Sequence, residues 1–167
     1  MLSYHAALDL NHGIYRVLRL LEAVPGHSMK LDTLRILDFY FLFPHTIGDV
    51  KLPKGMTAAK RSFAARASRY NKVAFPRHLF EQLGAMQRVI THSLATKGFI
   101  EAPELADQCV VRTPKPLPDE IKAAFAAEAP EDRQLVQFLA ALSGEPLLGE
   151  KGLKARTGLL EFRYDAV

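Results

Sequence analysis

The sequence predicts a mainly α fold of winged-helix type, with a short β-hairpin wing and flanking helices, on three observations. Apolar residues recur at helical spacing through most of the 167 residues. One short run, Gln108 to Thr113, is β-branched instead. The order in the middle of the chain is helix, turn, helix, then two extended pieces, as in a winged helix-turn-helix. Composition agrees with a globular chain, 49% hydrophobic and 24% charged, and the length suffices to bury roughly two thirds of the unfolded surface without staples.

In chain order, a first helix is expected over about 3–23, capped by Ser3, carrying Leu10, Ile14, Val17, Leu18 and Leu21 on one face and stopped by Pro25-Gly26. A second, about 30–43, is apolar nearly all round, from Leu31 to Phe43, and belongs in a core or against a partner. Pro44 ends it. Residues 46–56 read as a loop. A basic helix follows from a Thr57 cap to about Asn71, with Met56, Ala59, Phe63, Ala67 and Tyr70 on one stripe and cations around the rest.

Pro76 suits a helix start, so 76–83 reads as a helix, Gly84 as a turn, and 85–97 as a second helix closed by Gly98. Phe99–Glu101 and 108–113 form the expected hairpin. Pro114, Pro116 and Pro118 make a stiff connector to helices over about 119–128 and 131–143, before a tail that is part helical. The whole is one expected domain: 1–45 a helical hairpin, 46–75 a basic segment, 76–113 the helix-turn-helix plus wing, and 114–167 the C-terminal helices and tail.

Charge is the strongest functional signal. The chain is only +4 overall, yet residues 51–80 hold eight cations and no acid, while the remainder is net −4. Lys51, Lys54, Lys60, Arg61, Arg66, Arg69, Lys72 and Arg77 are therefore candidates for nucleic-acid phosphates or for an acidic protein partner. On the second helix of the expected helix-turn-helix, Gln87, Arg88, Thr91, His92 and Lys97 would face a major groove in a DNA reader. Two charges among them favour packing into a protein assembly over sequence readout.

Other chemistry is thin. A single cysteine, Cys109, excludes an internal disulfide or a multi-cysteine metal site and suits a reducing compartment. No signal-peptide pattern opens the chain, and the longest apolar stretch, Phe39 to Phe43, is too short for a bilayer. The expectation is cytoplasmic. His5, Asp9 and His12 share a helical face at i, i+4 and i+7, a spacing that suits a divalent metal; with no fourth ligand, they read better as surface residues. Gly144 to Lys151 imitates a P-loop but has Glu150 where the lysine belongs and no following Ser or Thr. No nucleophile context surrounds Ser93, His92 or Cys109. The reading is a binding subunit without cofactor, not an enzyme.

Three blocks carry a family resemblance: Lys30 to His45 (KLDTLRILDFYFLFPH), Phe75 to Leu83 followed by Ala95 to Ile100, and Gly152 to Asp165. They resemble the middle components of ABC-three-component systems, the Lamassu-type bacterial anti-phage systems. That resemblance reaches across almost the whole chain. It implies a non-catalytic subunit bridging an SMC-like ABC ATPase and an effector such as a nuclease, similar to the winged-helix partners of ATPase heads in chromosome-organising complexes. Phe39, Phe41 and Phe43 would then supply an apolar protein contact, and the +8 segment would touch DNA. Two rival readings stand beside it. One is a free-standing winged-helix transcription regulator, dimeric on a palindrome, its specificity lost on changing Gln87 or Arg88. The other is a small metal-dependent enzyme using His5, Asp9 and His12.

Overall fold

Asp9 opens the described part of the chain, residues 9–165 of a computed structural model. Its backbone is extended and its carboxylate accepts from the Asn11 and His12 amides at 2.9 and 3.3 Å, capping helix α1, Leu10–Ala23. The continuous helix expected from Ser3 is thus corrected: Asp9 is a cap, not an interior residue. Ser3 and His5 lie outside the described residues. The inner face of α1 buries Val17, Leu18, Leu20 and Leu21. Pro25 and Gly26 (φ +67) end it, as expected.

Strand β1, Ser28–Lys30, runs directly into helix α2, Leu31–Leu42. A 3-10 stretch, Pro44–Asp49, then folds Ile47 into the core, with Val50 just behind it. Helix α3, Thr57–Ala64, is much shorter than the basic helix expected to Asn71. The reason lies in the side chains beyond Ala64. Asn71 accepts from the Ser68 amide at 2.7 Å and donates to the Arg66 carbonyl at 3.0 Å, and Ser68 Oγ accepts from the Tyr70 amide. These bonds offer the backbone a turn that competes with helix. Phe63 holds α3 to the body, its ring 5.0 Å from that of Phe138.

Helix α4 runs unbroken over Pro76–Thr96. The turn expected at Gly84, and with it the helix-turn-helix within 76–97, is not there. Gly84 is buried, and a Cβ on it would stand 3.2 Å from an Arg35 guanidinium nitrogen, so α2 lies close against this point. Packing outweighs the roughly 1 kcal/mol that glycine costs inside a helix. At the other crossing, a Cβ on Gly13 would fall 2.2 Å from Ile90 Cδ1, which is how closely α1 and α4 approach.

Gly98 (φ +77) ends the long helix, and Ile100 forms an antiparallel bridge with Arg112. Helix α5, Ala102–Ala106, fills the connection to strand β2, Cys109–Val111. The hairpin is therefore reduced to one bridge, and β2 finds its main partner elsewhere. It pairs antiparallel with β1 in the register Ser28↔Val111, Met29↔Val110, Lys30↔Cys109. Arg112 then pins the proline connector, donating to Glu22 and to the carbonyls of Phe99, Thr113 and Lys115. Helices α6, Asp119–Ala126, and α7, Pro130–Leu142, follow near their expected places, and α8, Leu153–Thr157, precedes a tail of turns.

The core joins α1, α2, α4 and α7, with Phe39, Phe80, Leu37 and Leu139 at zero exposure. A polar seam crosses it. Arg16, 1% exposed, donates to Asp38 at 2.6 Å; Gln87 donates to the same carboxylate at 3.0 Å and accepts from Arg35 at 3.1 Å. Asp32 receives Arg35 on one oxygen and lies 3.8 Å from Lys154 on the other. Among the described residues, no helix is long and apolar enough to cross a membrane.

Candidate functional site

The eight cations of the basic segment divide by what they do. Three hold the segment down. Lys60 donates to the Val50 carbonyl at 2.9 Å. Arg66 donates to the Glu131 carbonyl at 2.8 Å, pairs with Asp132 at 3.6 Å and lies over the Phe63 ring. Arg77 faces Glu81 at 3.4 Å and Glu161 at 3.9 Å. The acids absent from residues 51–80 are thus brought in by α7 and the tail. Lys51, Lys54, Arg61, Arg69 and Lys72 are exposed. The backbone of Lys51 is fixed by a reciprocal pair with Arg156: its amide donates to the Arg156 carbonyl and its carbonyl accepts from the guanidinium.

Between these elements lies an open cavity of about 720 Å³. His45 and Asp49 line one side, Ala64 and Ser68 another, and Arg69 and Lys72 stand at the cationic edge. Both ring nitrogens of His45 are buried without a hydrogen bond of good geometry. Burial pushes this imidazole below its ordinary pKa, outweighing the Asp49 carboxylate and the Asn71 backbone, which pull the other way.

The remaining candidates land unevenly. Phe39 and Phe43 are in the core, their rings 5.2 Å apart, while Phe41 is only half-buried. Of the residues expected to face a groove, Gln87 and Thr91 are buried, Gln87 in the polar seam and Thr91 bonded to its own helix. Arg88, His92 and Lys97 are exposed. Gln87 is therefore corrected from reader to core residue. Asp9 is occupied as a cap, and His12 Nδ1 lies 2.6 Å from Arg16, so both are engaged within the protein. His5 lies outside the described residues. No group of three metal-ligating side chains occurs among the described residues.

Two residues escaped the sequence reading. Tyr70 and Phe75 are 71% and 75% exposed, on opposite ends of the turn that follows α3. Tyr70 had its place on an apolar helical stripe that ends before it. Their signal in the sequence was interleaving, aromatics alternating with Arg69, Lys72 and Arg77 across an acid-free stretch.

Fold and surface together define a mainly helical domain with a tethered cationic loop. The family described as ABC-three component (ABC-3C) system Middle Component 5 matches residues 2–165. The chain belongs to that family of middle components. Comparison with curated proteins and comparison with solved structures each gave no match. The three resembling blocks meet in space: α2 carries the first, the start of α4 the second, and Lys154 and Glu161 of the third reach Asp32 and Arg77.

Proposed function

We propose that this middle component is a non-catalytic subunit of a Lamassu-type anti-phage complex, bridging an SMC-like ABC ATPase and an effector, with its basic loop on DNA. The observation that carries the DNA part is the division of labour among the cations. Lys60, Arg66 and Arg77 fasten the loop, leaving Lys51, Lys54, Arg61, Arg69 and Lys72 directed to solvent without acidic partners among the described residues. Phe41 is the phenylalanine of its helix left for a protein contact.

A winged-helix ancestry is supported by element order rather than by the helix-turn-helix first expected. Helix, strand, helix, helix, bridge, strand is the sequence α1, β1, α2, α4, Ile100, β2, with β2 lying between the other two extended pieces. In this reading α2 and α4 are the helix pair, the basic loop is an insertion between them, and α5 occupies the wing. A free-standing regulator would keep Arg88 and His92 as readers, but without Gln87.

Co-expression with the neighbouring genes, followed by affinity purification of this chain, tests the assignment. A stoichiometric SMC-like ATPase is expected. A homodimer alone, with the neighbours soluble, overturns it in favour of the regulator. For the loop, four phosphate contacts give a log–log salt slope of about −3.6 on duplex DNA. Reversing Lys51, Lys54, Arg61 and Lys72 to Glu should abolish that binding, and unchanged binding would remove the loop from the DNA site.

A further inference from the structure

We propose that the cleft between Tyr70 and Phe75 receives an unpaired nucleobase, so that the basic loop grips single-stranded DNA or a frayed end rather than intact duplex alone. This deepens the reading of the loop as a DNA contact and rests on it. The cleft, about 240 Å³, is lined by Phe43, Leu79, Tyr70 and Phe75, with His78 and Gln82, bonded to each other at 3.1 Å, also in its wall. Such a volume is below the usual range for a drug-sized ligand and suits one small planar group. No acid lines it.

Two large aromatics that line one cleft and are left mostly in water are the kind of exposed patch that marks an interaction site. Backbone phosphates would account for the cations but not for the rings. An aromatic platform beside a cationic track is the arrangement by which proteins hold single strands, because every base has a face to stack. The platform is built before any ligand arrives. Asn71 and Ser68 bind the turn to itself, and the Arg69 guanidinium sits 4.7 Å from the Tyr70 ring centre while donating to its hydroxyl. One face of Tyr70 is thus taken by Arg69, leaving the other for a base.

The test is fluorescence anisotropy of the full chain with a labelled oligothymidylate of roughly 20 nucleotides and a duplex of equal length. Tyr70→Ala and Phe75→Ala should each weaken the single strand by about 5- to 150-fold and leave the duplex nearly unchanged. Tyr70→Phe should retain binding, since stacking needs the ring and not the hydroxyl. Both sites are exposed, so thermal melts should stay in place. Equal binding of both DNAs, insensitive to either ring, overturns the base cleft while leaving the loop's DNA contact standing. No binding to either DNA at low salt overturns both. Ring-dependent binding of polyglutamate but not of DNA would assign the cleft to an acidic protein and overturn the proposal.

Discussion

Replacing Asp38 by alanine should destabilise the protein by about 3–5 kcal/mol, the cost of removing one partner from a buried ion pair. Arg16 and Asp38 have side chains only 1% and 2% exposed and are joined at 2.6 Å, so the substitution leaves a buried guanidinium without its carboxylate. The same carboxylate also holds the Gln87 amide at 3.0 Å, so the substitution leaves a buried donor on α4 as well. Unfolding entropy near 2.1 cal/mol/K per residue gives about 0.35 kcal/mol/K for this length, so the melting temperature should fall by about 9–14 °C. Thermal and urea melts of Asp38→Leu, Arg16→Met and the Arg16→Met/Asp38→Leu double variant form a cycle, with Asp38→Ala measured beside it. The double variant should recover most of the loss, because an apolar pair of similar volume replaces two charges that were expensive to bury. A drop of less than about 3 °C for Asp38→Ala, or losses that simply add, would refute the pair as a structural determinant.

Three further outcomes follow from the packing and the charges. Gly13→Ala should lose about 1–3 kcal/mol to overlap with Ile90, less the roughly 1 kcal/mol alanine adds in a helix, and Ile90→Val, which removes Cδ1 but not Cγ1, should restore part of it; urea midpoints decide this. Phe39→Ala should cost about 3–5 kcal/mol in the same assay, whereas Phe41→Ser should leave the midpoint nearly in place and weaken co-purification of the other subunits. Stability should fall on acidification below about pH 6.5, the unfolded histidine value. Burial first, then Arg16, lowers His12, and burial lowers His45, so the unfolded chain takes up these protons before the folded one does. Stability is then complete above that pH and lost as pH drops through the lowered folded values. The double variant His12→Asn/His45→Gln should flatten the profile of urea midpoint against pH.

Local punctuation was legible in the sequence where a single residue decides the outcome. Pro25-Gly26, Pro44, Pro76 and Gly98 stop or start helices because they remove a donor, fix a torsion or accept positive φ, and each does so here. Gly84 misled for the opposite reason. Its effect depends on Arg35, 49 residues away, and no local window contains both. The same holds for the polar seam, since Asp38 sits in a helix whose composition reads as apolar nearly all round. The charge count located the basic loop but not which of its cations the fold engages. Glu131, Asp132 and Glu161 approach it only through the fold and engage Arg66 and Arg77, while Lys60 is held by the Val50 carbonyl. Tyr70 was assigned to a helical face because periodicity runs on past the point where Ser68 and Asn71 capture the backbone.

The pairing of β1 with β2 has a consequence in time. Met29 is made long before Val110, its partner, and at about 5–20 residues per second the gap during synthesis is about 4–16 s. For that interval α1 and α2 exist without α4's far end, the bridge at Ile100 or the strand that closes over Met29. The nascent chain therefore carries β1 without its strand partner until residues 109–111 have been made.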